Sequence, residues 1–332
     1  MRKISKIAIL GAGRMGKAMA IAFAYAGLKV ALIDARQRSE IEFQDYHSQI
    51  LSDLQQELQL LETIKFINAE QHIFIDKRID ILSRDASIEV LSNCDLLLEA
   101  VPEVKPLKQE IFAWLDPYIL ANCIVASTTS TFLVTDIAQM ISHPERVINA
   151  HWLNPAYLIP LVELSRSEET SDEVVADLKH FLHDIGKVPV VCNAKAGYIV
   201  PRIQALAMNE AARMVEEGVA TAEDIDIAIR TGFGLRFSVL GLLEFIDWGG
   251  GDILYYASQY LQRELGDRYQ APEIIADNMR QQRNGLREKQ GFYNYDQVDI
   301  ADYKKKVLHQ FADRITSQHL KPQFNILQND AV

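Results

Sequence analysis

A glycine-rich turn near the amino terminus constrains the fold of this chain more than any other stretch. An apolar run over residues 7–10 leads into a GxGxxG pattern, and a helix-like pattern follows it. A second apolar run, residues 30–33, then ends on Asp34. The glycines of the pattern are Gly11, Gly13 and Gly16. Strand, glycine turn, helix, strand and acid in this order predict a dinucleotide-binding unit that opens a doubly wound parallel sheet.

Each glycine has a separate physical role in such a turn. Gly11 permits the tight turn out of the strand, Gly13 lets the backbone approach a pyrophosphate, and Gly16 lets the helix pack closely on the sheet. Free N–H groups at the start of the helix then face the phosphates. Arg14 and Met15 lie inside the turn, and we count them with the cofactor-binding residues.

The acid at the end of the second run predicts which cofactor binds. Asp34 lies 18 positions after Gly16, where a carboxylate can accept hydrogen bonds from both ribose hydroxyls of an adenosine. The same carboxylate would repel a 2′-phosphate, so the sequence favours NAD over NADP. Arg36 and Arg38 follow closely and weaken this preference. The alternative is a doubly wound domain that binds no dinucleotide.

Composition and charge exclude several classes of protein. The chain has 332 residues, enough for two domains, and its formal net charge of −11 argues against nucleic acid or an anionic membrane surface as the main partner. No apolar run reaches the roughly 18 residues of a membrane span, and the amino-terminal run is too short for a signal peptide. The cysteines form no CxxC pair, and we interpret them as reduced core thiols of a cytoplasmic protein without a metal site: Cys94, Cys123 and Cys192.

Further apolar runs alternate with helical patterns through the first half of the chain. Strands are predicted over 78–82, 96–101, 124–126, 147–150, 161–164 and 188–191. Helices are predicted over 106–115, 134–141 and 172–185. This alternation predicts a doubly wound parallel sheet whose ligands bind at the carboxyl ends of the strands.

Two helical regions complete the organisation. Residues 39–70 form an arm, one long helix or a helix pair between the second and third strands, whose outer face carries seven acids against Lys65 alone. Strand patterns vanish after Gly197, so we divide the chain into a nucleotide-binding domain, 1–195, and an all-helical domain, 196–332. The long apolar faces of that second domain exceed what one small domain needs, which predicts a homodimer.

One histidine carries the acid–base argument. Of the eight histidines, only His151 lies where a buried strand gives way to a loop at the ligand-bearing edge of the sheet. Glu163 is charged within an apolar strand, and a buried carboxylate needs a partner, so we expect it to meet His151. Glu163 would hold one imidazole nitrogen while the other takes the proton of a substrate hydroxyl as hydride leaves for a nicotinamide. A purely structural His–Glu hydrogen bond is the alternative.

An ordered set of five motifs resembles the L-3-hydroxyacyl-CoA dehydrogenase family. They are the glycine turn, residues 99–103, the Ser/Thr cluster at 127–131, AHWLNP at 150–155 and PLVEL at 160–164. The resemblance covers residues 6 to about 260. It implies a Rossmann domain with a helical arm, a helical dimerisation domain, and oxidation of a 3-hydroxyl to a 3-keto group with NAD.

The resemblance also implies roles for individual residues. His151 would be the general base and Glu163 the carboxylate that orients it. Ser130 would hydrogen-bond the reacting oxygen, and Asn154 would lie beside the nicotinamide and the substrate. Two further residues would lie along the cofactor, Glu103 and Lys108. Alternatives stay open, because Ser130 could instead cap the following helix, Asn154 could serve in a turn, and Lys108 could be a surface residue.

Some positions depart from the family pattern and bear on the substrate. Thr128 and Pro201 stand where the family usually has Asn, which weakens a cofactor contact and removes a substrate contact. The arm carries Lys65 alone, whereas relatives that act on CoA esters have lysines there for the CoA phosphates. Arg236 lies in a segment similar to one in L-gulonate 3-dehydrogenases and L-carnitine dehydrogenases, where it could grip a substrate carboxylate or lie at the dimer interface.

These observations leave three functions open. The first is NAD-dependent oxidation of a short-chain L-3-hydroxyacyl-CoA. The second is the same chemistry on a free 3-hydroxy acid, which Arg236 and the acidic arm favour. The third is a non-catalytic dinucleotide-binding protein of the crystallin type, and the joint presence of His151, Glu163 and Ser130 argues against it.

Overall fold

The computed structural model describes residues 2–323 and divides the chain into two compact units. The first unit ends at Ala207 and the second begins at Met208, so the division falls inside one helix, Val200–Glu216. The domain boundary predicted between residues 195 and 196 lies in the loop that leads into this helix, and it stays a prediction.

The first unit is built on one eight-stranded sheet. Its strands are β1 (Ile7–Leu10), β2 (Val30–Ile33), β3 (Ile79–Leu82), β4 (Leu96–Glu99), β5 (Ile124–Ser127), β6 (Val147–Trp152), β7 (Leu161–Arg166) and β8 (Val188–Asn193). Their spatial order is β3-β2-β1-β4-β5-β6-β7-β8. This confirms the predicted doubly wound sheet, and the ends of each predicted strand agree with the structure to within two residues.

One pair of neighbouring strands departs from the predicted parallel arrangement. Strands β6 and β7 are antiparallel, whereas every other neighbouring pair is parallel. Only residues 153–160 join β6 to β7, and this connection is shorter than the dozen or more residues that a parallel crossover needs. The chain therefore turns back on itself, and the register places His151 directly opposite Glu163.

Two apolar clusters cover the sheet, and a series of helices begins in the same unit. The helices are α1 (Arg14–Tyr25), α2 (Glu40–Thr63), α3 (Ala69–Asp76), α4 (Ile88–Leu91), α5 (Lys105–Leu115), α6 (Val134–Ala138), α7 (Asp172–Asp184) and α8 (Val200–Glu216). Ile7 and Ile9 of β1 belong to one cluster, and Ala8 and Leu10 belong to the other. Because successive side chains of a strand point to opposite faces, this division places one cluster on each side of the sheet.

The arm is the helix pair α2 and α3, one of the two predicted alternatives. Ser39 caps α2 and Asn68 caps α3, each in a capping box with the residue three positions later. One face of α2 is buried against the core through Ile50, Leu54, Leu58 and Leu61. The recurrence of these residues at helical spacing explains why the sequence reads as an amphipathic arm.

The cysteines differ in their surroundings. Cys94 and Cys123 are buried with their Sγ atoms 3.3 Å apart, while Cys192 is only partly buried. The expectation of core thiols therefore holds for two of them and is wrong for Cys192, because strand β8 lies at the edge of the sheet and is covered on fewer sides.

The second unit is helical in the part that the structure describes. Its helices are α9 (Ala222–Ala228), α10 (Gly234–Phe237), α11 (Leu242–Gly249), α12 (Gly251–Leu265), α13 (Glu273–Arg280) and α14 (Ile300–Ser317), with a π-helical stretch, Ile229–Phe233, between α9 and α10. The sequence after about residue 300 is polar with weak periodicity, yet it forms α14, which Asp299 caps and which buries Val307. No helix within residues 2–323 has the length and apolar character to cross a membrane.

Candidate active site

A cleft of about 770 Å³ lies at the carboxyl ends of β1, β2, β4, β5 and β6. It brings together most of the residues that the sequence singled out. Those that line it are Gly11, Gly13, Arg14, Met15, Asp34, Glu103, Thr128, Ser130, His151, Asn154 and Pro201. Gly16, Lys108 and Glu163 are not among the lining residues. The predicted ligand-bearing edge of the sheet is therefore a real cavity.

The glycine turn has the space that a dinucleotide needs. Gly11 has a φ of +114°, and a Cβ there would lie 2.6 Å from the carbonyl oxygen of Ala100. A Cβ on Gly16 would lie 1.9 Å from the carbonyl oxygen of Gly11. A Cβ on Gly13 would meet nothing within 4 Å, so its absence keeps the cleft open at the start of α1. These residues fit a pyrophosphate held at a helix N-terminus.

Asp34 lines the cleft just after the end of β2, and its carboxylate already accepts two hydrogen bonds. It is 3% exposed; its Oδ1 accepts the backbone N–H of Arg36 at 3.1 Å, and its Oδ2 accepts Nε of Arg38 at 2.6 Å. The guanidinium of Arg38 also lies over the ring of Tyr46, 4.2 Å from its centroid. Each carboxylate oxygen has two lone pairs, so both can still accept a ribose hydroxyl.

A buried ion pair joins the end of β4 to α5. Nζ of Lys108 lies 2.7 Å from Oε1 of Glu99 and 3.4 Å from Oε2 of Glu103. Lys108 is 1% exposed, so the alternative that it is a surface residue is wrong. Lys108 lies on the buried face of α5 together with Ile111 and Leu115, and the two carboxylates compensate its charge there. Sequence reasoning missed the role of Glu99.

Glu103 connects this ion pair to the Ser/Thr cluster at residues 127–131. Its Oε1 accepts the hydroxyl of Thr129 at 2.7 Å and the backbone N–H of Ser130 at 2.6 Å. Burial acts to raise the pKa of Glu103, but the Thr129 bond, the charge of Lys108 and the Ser130 N–H outweigh burial and hold the pKa below its ordinary value of 4.5. The carboxylate therefore stays ionised and fixes the loop that carries Ser130.

The expected contact between His151 and Glu163 is present. Nδ1 of His151 lies 2.8 Å from Oε2 of Glu163, and the two side chains are 9% and 0% exposed. Oε1 of Glu163 accepts the backbone N–H groups of Ile199 and Val200, each at 2.9 Å. The carboxylate thus holds the imidazole and the first residues of α8 at once. Nε2 of His151 has no hydrogen-bond partner among residues 2–323, and His151 lines the cleft.

An aromatic residue that sequence reasoning missed fixes the imidazole plane. The ring of Tyr198 stacks on His151 with centroids 4.8 Å apart and an interplanar angle of 18°. Its hydroxyl donates to the carbonyl of Thr129 at 2.7 Å and accepts from Nδ2 of Asn149 at 3.0 Å. Tyr198 has a φ of +45°, a left-handed conformation that is uncommon outside glycine and is typical of functional sites.

Other predicted residues lie around the cleft in less constrained positions. Ser130 does not cap the following helix, because α6 begins after Leu133; its Oγ lies 3.3 Å from Oε1 of Glu103. Asn154 lines the cleft, and both its predicted role and its turn alternative stay open. Pro201 is the second residue of α8, a position where the helix needs no backbone N–H donor, so proline fits there. Gln204, one turn later, also lines the cleft.

A second cavity, which we call the arm pocket, has a volume of about 660 Å³. Its lining residues are Arg14, Lys17, Ala18, Asp53, Gln56, Glu57, Leu60, Asn154, Pro155 and Tyr157. Two of its acids are already paired: Asp53 contacts Nζ of Lys17, and Glu57 accepts the hydroxyl of Tyr157. Burial and the hydrogen bond and charge of Glu57 raise the pKa of Tyr157 to about 12. The arm pocket shares Arg14 and Asn154 with the cleft.

Arg236 belongs to the second unit. It is exposed on α10, its Nε donates to the carbonyl of Gly232 at 3.3 Å, and its guanidinium lies 5.1 Å from the ring centroid of Phe245. These contacts are within one unit and assign it neither to a substrate nor to a dimer interface. Both predicted roles for Arg236 stay predictions.

Comparison with curated proteins yields relatives of two kinds. One is a 5-formyl-3-hydroxy-2-methylpyridine 4-carboxylate 5-dehydrogenase of Mesorhizobium japonicum, 29% identical over 294 residues, which are 88% of this chain and 91% of that protein. Another is a probable 3-hydroxybutyryl-CoA dehydrogenase of Deinococcus radiodurans, 28% identical over 291 residues, 87% of this chain and 100% of that protein.

Family models and solved structures agree with each other. The fold resembles that of a 3-hydroxyacyl-CoA dehydrogenase from Archaeoglobus fulgidus, with a TM-score of 0.75 and 29% identity, covering 96% of this chain and 100% of that one. The model for the NAD-binding domain of 3-hydroxyacyl-CoA dehydrogenase matches residues 6–195, and the model for its C-terminal domain matches residues 197–295. This chain therefore belongs to the 3-hydroxyacyl-CoA dehydrogenase family of NAD-dependent oxidoreductases.

Proposed function

We propose that this protein oxidises the 3-hydroxyl group of a short L-3-hydroxyacyl-CoA to a ketone, with His151 as the general base. The observation that carries the proposal is the contact between His151 and Glu163 at the edge of the cleft. Glu163 accepts from Nδ1, which leaves Nε2 as the nitrogen that can take a proton from a substrate in the cleft.

The residues around His151 have separate tasks in this reaction. Glu163 fixes the tautomer and stabilises the imidazolium that forms when Nε2 takes the hydroxyl proton. Tyr198 holds the ring in its plane by stacking. Ser130 and Asn154 would hydrogen-bond the reacting oxygen and hold the substrate beside the cofactor. NAD, when bound, supplies the acceptor for the hydride that leaves the same carbon.

The residues of the glycine turn would hold that cofactor. Gly11, Gly13 and the first N–H groups of α1 would face the pyrophosphate, and Asp34 would accept from the adenosine ribose. Arg14 and Met15 line the cleft next to them. Glu103, fixed by Lys108 and the Thr129 hydroxyl, would lie along the nicotinamide end of the cofactor.

A CoA thioester is the first candidate for the form of the substrate. The two 3-hydroxyacyl-CoA dehydrogenase family models match residues 6–195 and 197–295. The Deinococcus radiodurans relative, which covers 87% of this chain, is named as a probable 3-hydroxybutyryl-CoA dehydrogenase. The acyl group would enter the cleft beside His151, where Leu153 and Pro201 also line it.

A free 3-hydroxy acid is the second candidate, and the arm pocket favours it. The arm contributes Asp53 and Glu57 to this pocket and no basic side chain. The two cations of the lining, Arg14 and Lys17, come from α1, and Lys17 is already paired with Asp53, so the pocket offers little net positive charge to the phosphates of CoA. The Mesorhizobium japonicum relative is named for a pyridine carboxylate, a substrate without CoA. Arg236 would then grip the substrate carboxylate.

We also propose that the protein forms a homodimer. No residue of α8 is buried, although its sequence is amphipathic, and its exposed large apolar side chains include Ile203, Leu206 and Met208. A symmetric partner is the common way to cover such a face. Light scattering coupled to size exclusion should give about twice the chain mass of 37.6 kDa, and a mass equal to one chain would contradict the proposal.

One steady-state comparison tests the function and separates the two candidates. NADH oxidation with acetoacetyl-CoA is measured beside NAD reduction with L-3-hydroxybutyrate, L-carnitine and L-gulonate, for the wild type and for His151→Ala, with enzyme-free reactions as the blank. Turnover of acetoacetyl-CoA supports the CoA ester, and turnover of a free acid alone supports the second candidate. If His151→Ala keeps the activity of the wild type, His151 is not part of the mechanism. If the wild type turns over none of these substrates but still binds NADH, a non-catalytic role fits.

A further inference from the structure

We call the end of the cleft at Asp34 its ribose end, because the adenosine ribose of a dinucleotide would lie there, and two arginines share this end with the aspartate. Asp34, Arg36 and Arg38 all line the cleft there, so this end carries one carboxylate and two guanidinium groups. This end of the cleft is locally positive in a chain whose formal net charge is −11. A positive ribose end does not select against a 2′-phosphate, whereas an unpaired aspartate does.

The contact between Asp34 and Arg38 neutralises the charge that would repel this phosphate. Nε of Arg38 lies 2.6 Å from Oδ2 of Asp34, whose side chain is 5% exposed. A pair at this distance, partly shielded from water, presents almost no net charge to a ligand beyond it. The second oxygen of Asp34 accepts the backbone N–H of Arg36 at 3.1 Å, which further reduces its negative potential.

Arg38 keeps donors free for a ligand. Only its Nε is used on Asp34, and its two NH₂ groups have no hydrogen bond within residues 2–323. The guanidinium is held in place from the other side, because it stacks 4.2 Å from the ring centroid of Tyr46, whose hydroxyl donates to the carbonyl of Ala12 at 3.3 Å. A fixed guanidinium with two free donor groups matches the geometry of a phosphate.

Arg36 supplies a second cation at the same place. Its side chain is exposed, lines the cleft, and makes no ion pair with any residue that the structure describes. Its backbone N–H donates to Oδ1 of Asp34 at 3.1 Å, so the two residues lie side by side at this end of the cleft.

We propose that this ribose end is a 2′-phosphate site, so that the protein binds NADP as well as NAD, with Arg38 as the residue that sets the ratio. Arg38 neutralises Asp34 and donates to the phosphate, and Arg36 adds a second contact. The hydride acceptor is the same nicotinamide in both cofactors, so the chemistry at His151 does not change.

A different role for Arg38 makes the opposite prediction. If Arg38 only positions Asp34, its removal weakens NADH binding at least as much as NADPH binding, and the ratio of the two dissociation constants does not rise. If Arg38 sets cofactor choice, its removal exposes the charge of Asp34, and NADPH binding weakens selectively.

Direct binding of the reduced cofactors tests the proposal without a substrate. NADH and NADPH are titrated into the full-length wild type, Arg38→Ala, Arg38→Gln and Arg36→Ala, following nucleotide fluorescence. Arg263→Ala is the matched control, because Arg263 is an exposed arginine of the second unit that pairs with Glu264. Arg38→Gln keeps a hydrogen-bond donor for Asp34, so at least one variant without the charge retains the local fold.

We expect a wild-type ratio of dissociation constants, NADPH over NADH, below about 100, and a rise of at least about tenfold in both Arg38 variants. Arg36→Ala should raise the ratio less, and Arg263→Ala should leave it unchanged. A wild-type ratio above 100, or a smaller rise in the Arg38 variants, overturns the proposal. Because no substrate is present, neither result depends on whether the substrate is a CoA ester.

Discussion

Nδ1 of His151 lies 2.8 Å from Oε2 of Glu163, and the antiparallel register of β6 and β7 places the two residues directly opposite each other. The second oxygen of the same carboxylate accepts two backbone N–H groups at the start of α8. One buried carboxylate therefore couples the orientation of the imidazole to the position of a helix whose second residue, Pro201, lines the cleft.

This double role predicts that Glu163→Gln separates catalysis from folding. The amide oxygen can still accept from Ile199 and Val200, while its NH₂ group faces Nδ1 of His151 and forces the proton onto Nε2. A protonated Nε2 cannot act as a base, so we expect kcat to fall by about 10²-fold or more with little change in Tm. Glu163→Ala, which also loses the acceptor for α8, should lower both. Retained kcat in the Gln variant would indicate a purely structural pair.

Removal of the imidazole itself should leave cofactor binding intact. His151→Ala deletes the proposed base but none of the residues of the glycine turn, so we expect turnover to fall by about 10²-fold or more while the Kd for NADH changes little. Steady-state rates and fluorescence titration measure the two quantities. His183→Ala, on the exposed face of α7, is the control and should resemble wild type. Equal losses of turnover and of NADH affinity would mean that His151 supports the cleft and not the chemistry.

The residues that sequence reasoning located share a local cause. Asp34 and His151 were predictable because each lies at the end of an apolar run, and the carboxyl ends of parallel strands form one edge of a sheet. Glu163 was predictable because a single charge within an apolar strand must find a partner. Strands β1 and β2 could be bounded to the residue, since a glycine turn and an aspartate end them.

The contacts that sequence reasoning missed join distant segments without a periodic pattern. Tyr198 stacks on a histidine 47 positions earlier, and nothing in its local sequence marks it as more than a loop residue. The pairing of Arg38 with Asp34 depends on the turn after β2, which brings the Arg38 side chain back to the aspartate at the end of that strand. Helix α14 was not evident because its apolar positions are few, and Val307 is its one fully buried residue.

The buried ion pair of Lys108 and Glu99 gives a prediction about stability. Lys108→Met removes the charge that compensates Glu99, whose side chain is 0% exposed, and leaves a buried carboxylate unpaired. We expect the free energy of unfolding to fall by about 3–5 kcal/mol, measured by urea denaturation. Lys105→Met, at the exposed start of the same helix, is the matched control and should change it by less than about 0.5 kcal/mol. A loss below about 0.5 kcal/mol in Lys108→Met would show that its charge does not stabilise the buried carboxylate of Glu99.

The ionisation of Glu103 predicts how stability depends on pH. Its pKa is depressed in the folded protein, where hydrogen bonds from Thr129 and Ser130 and the charge of Lys108 outweigh burial. A depressed carboxyl pKa stabilises the folded state above the ordinary value of 4.5, and this contribution is lost as the pH falls through the folded-state pKa. Glu103→Gln should therefore lower Tm at pH 7, and the difference from wild type should shrink below pH 4.5.

Glu89→Gln, which alters an exposed carboxylate without an ion pair among residues 2–323, should show no such change. A difference between wild type and Glu103→Gln that stays constant from pH 7 to pH 4 would mean that the variant acts through the geometry of the loop, and that the charge of Glu103 does not stabilise the fold.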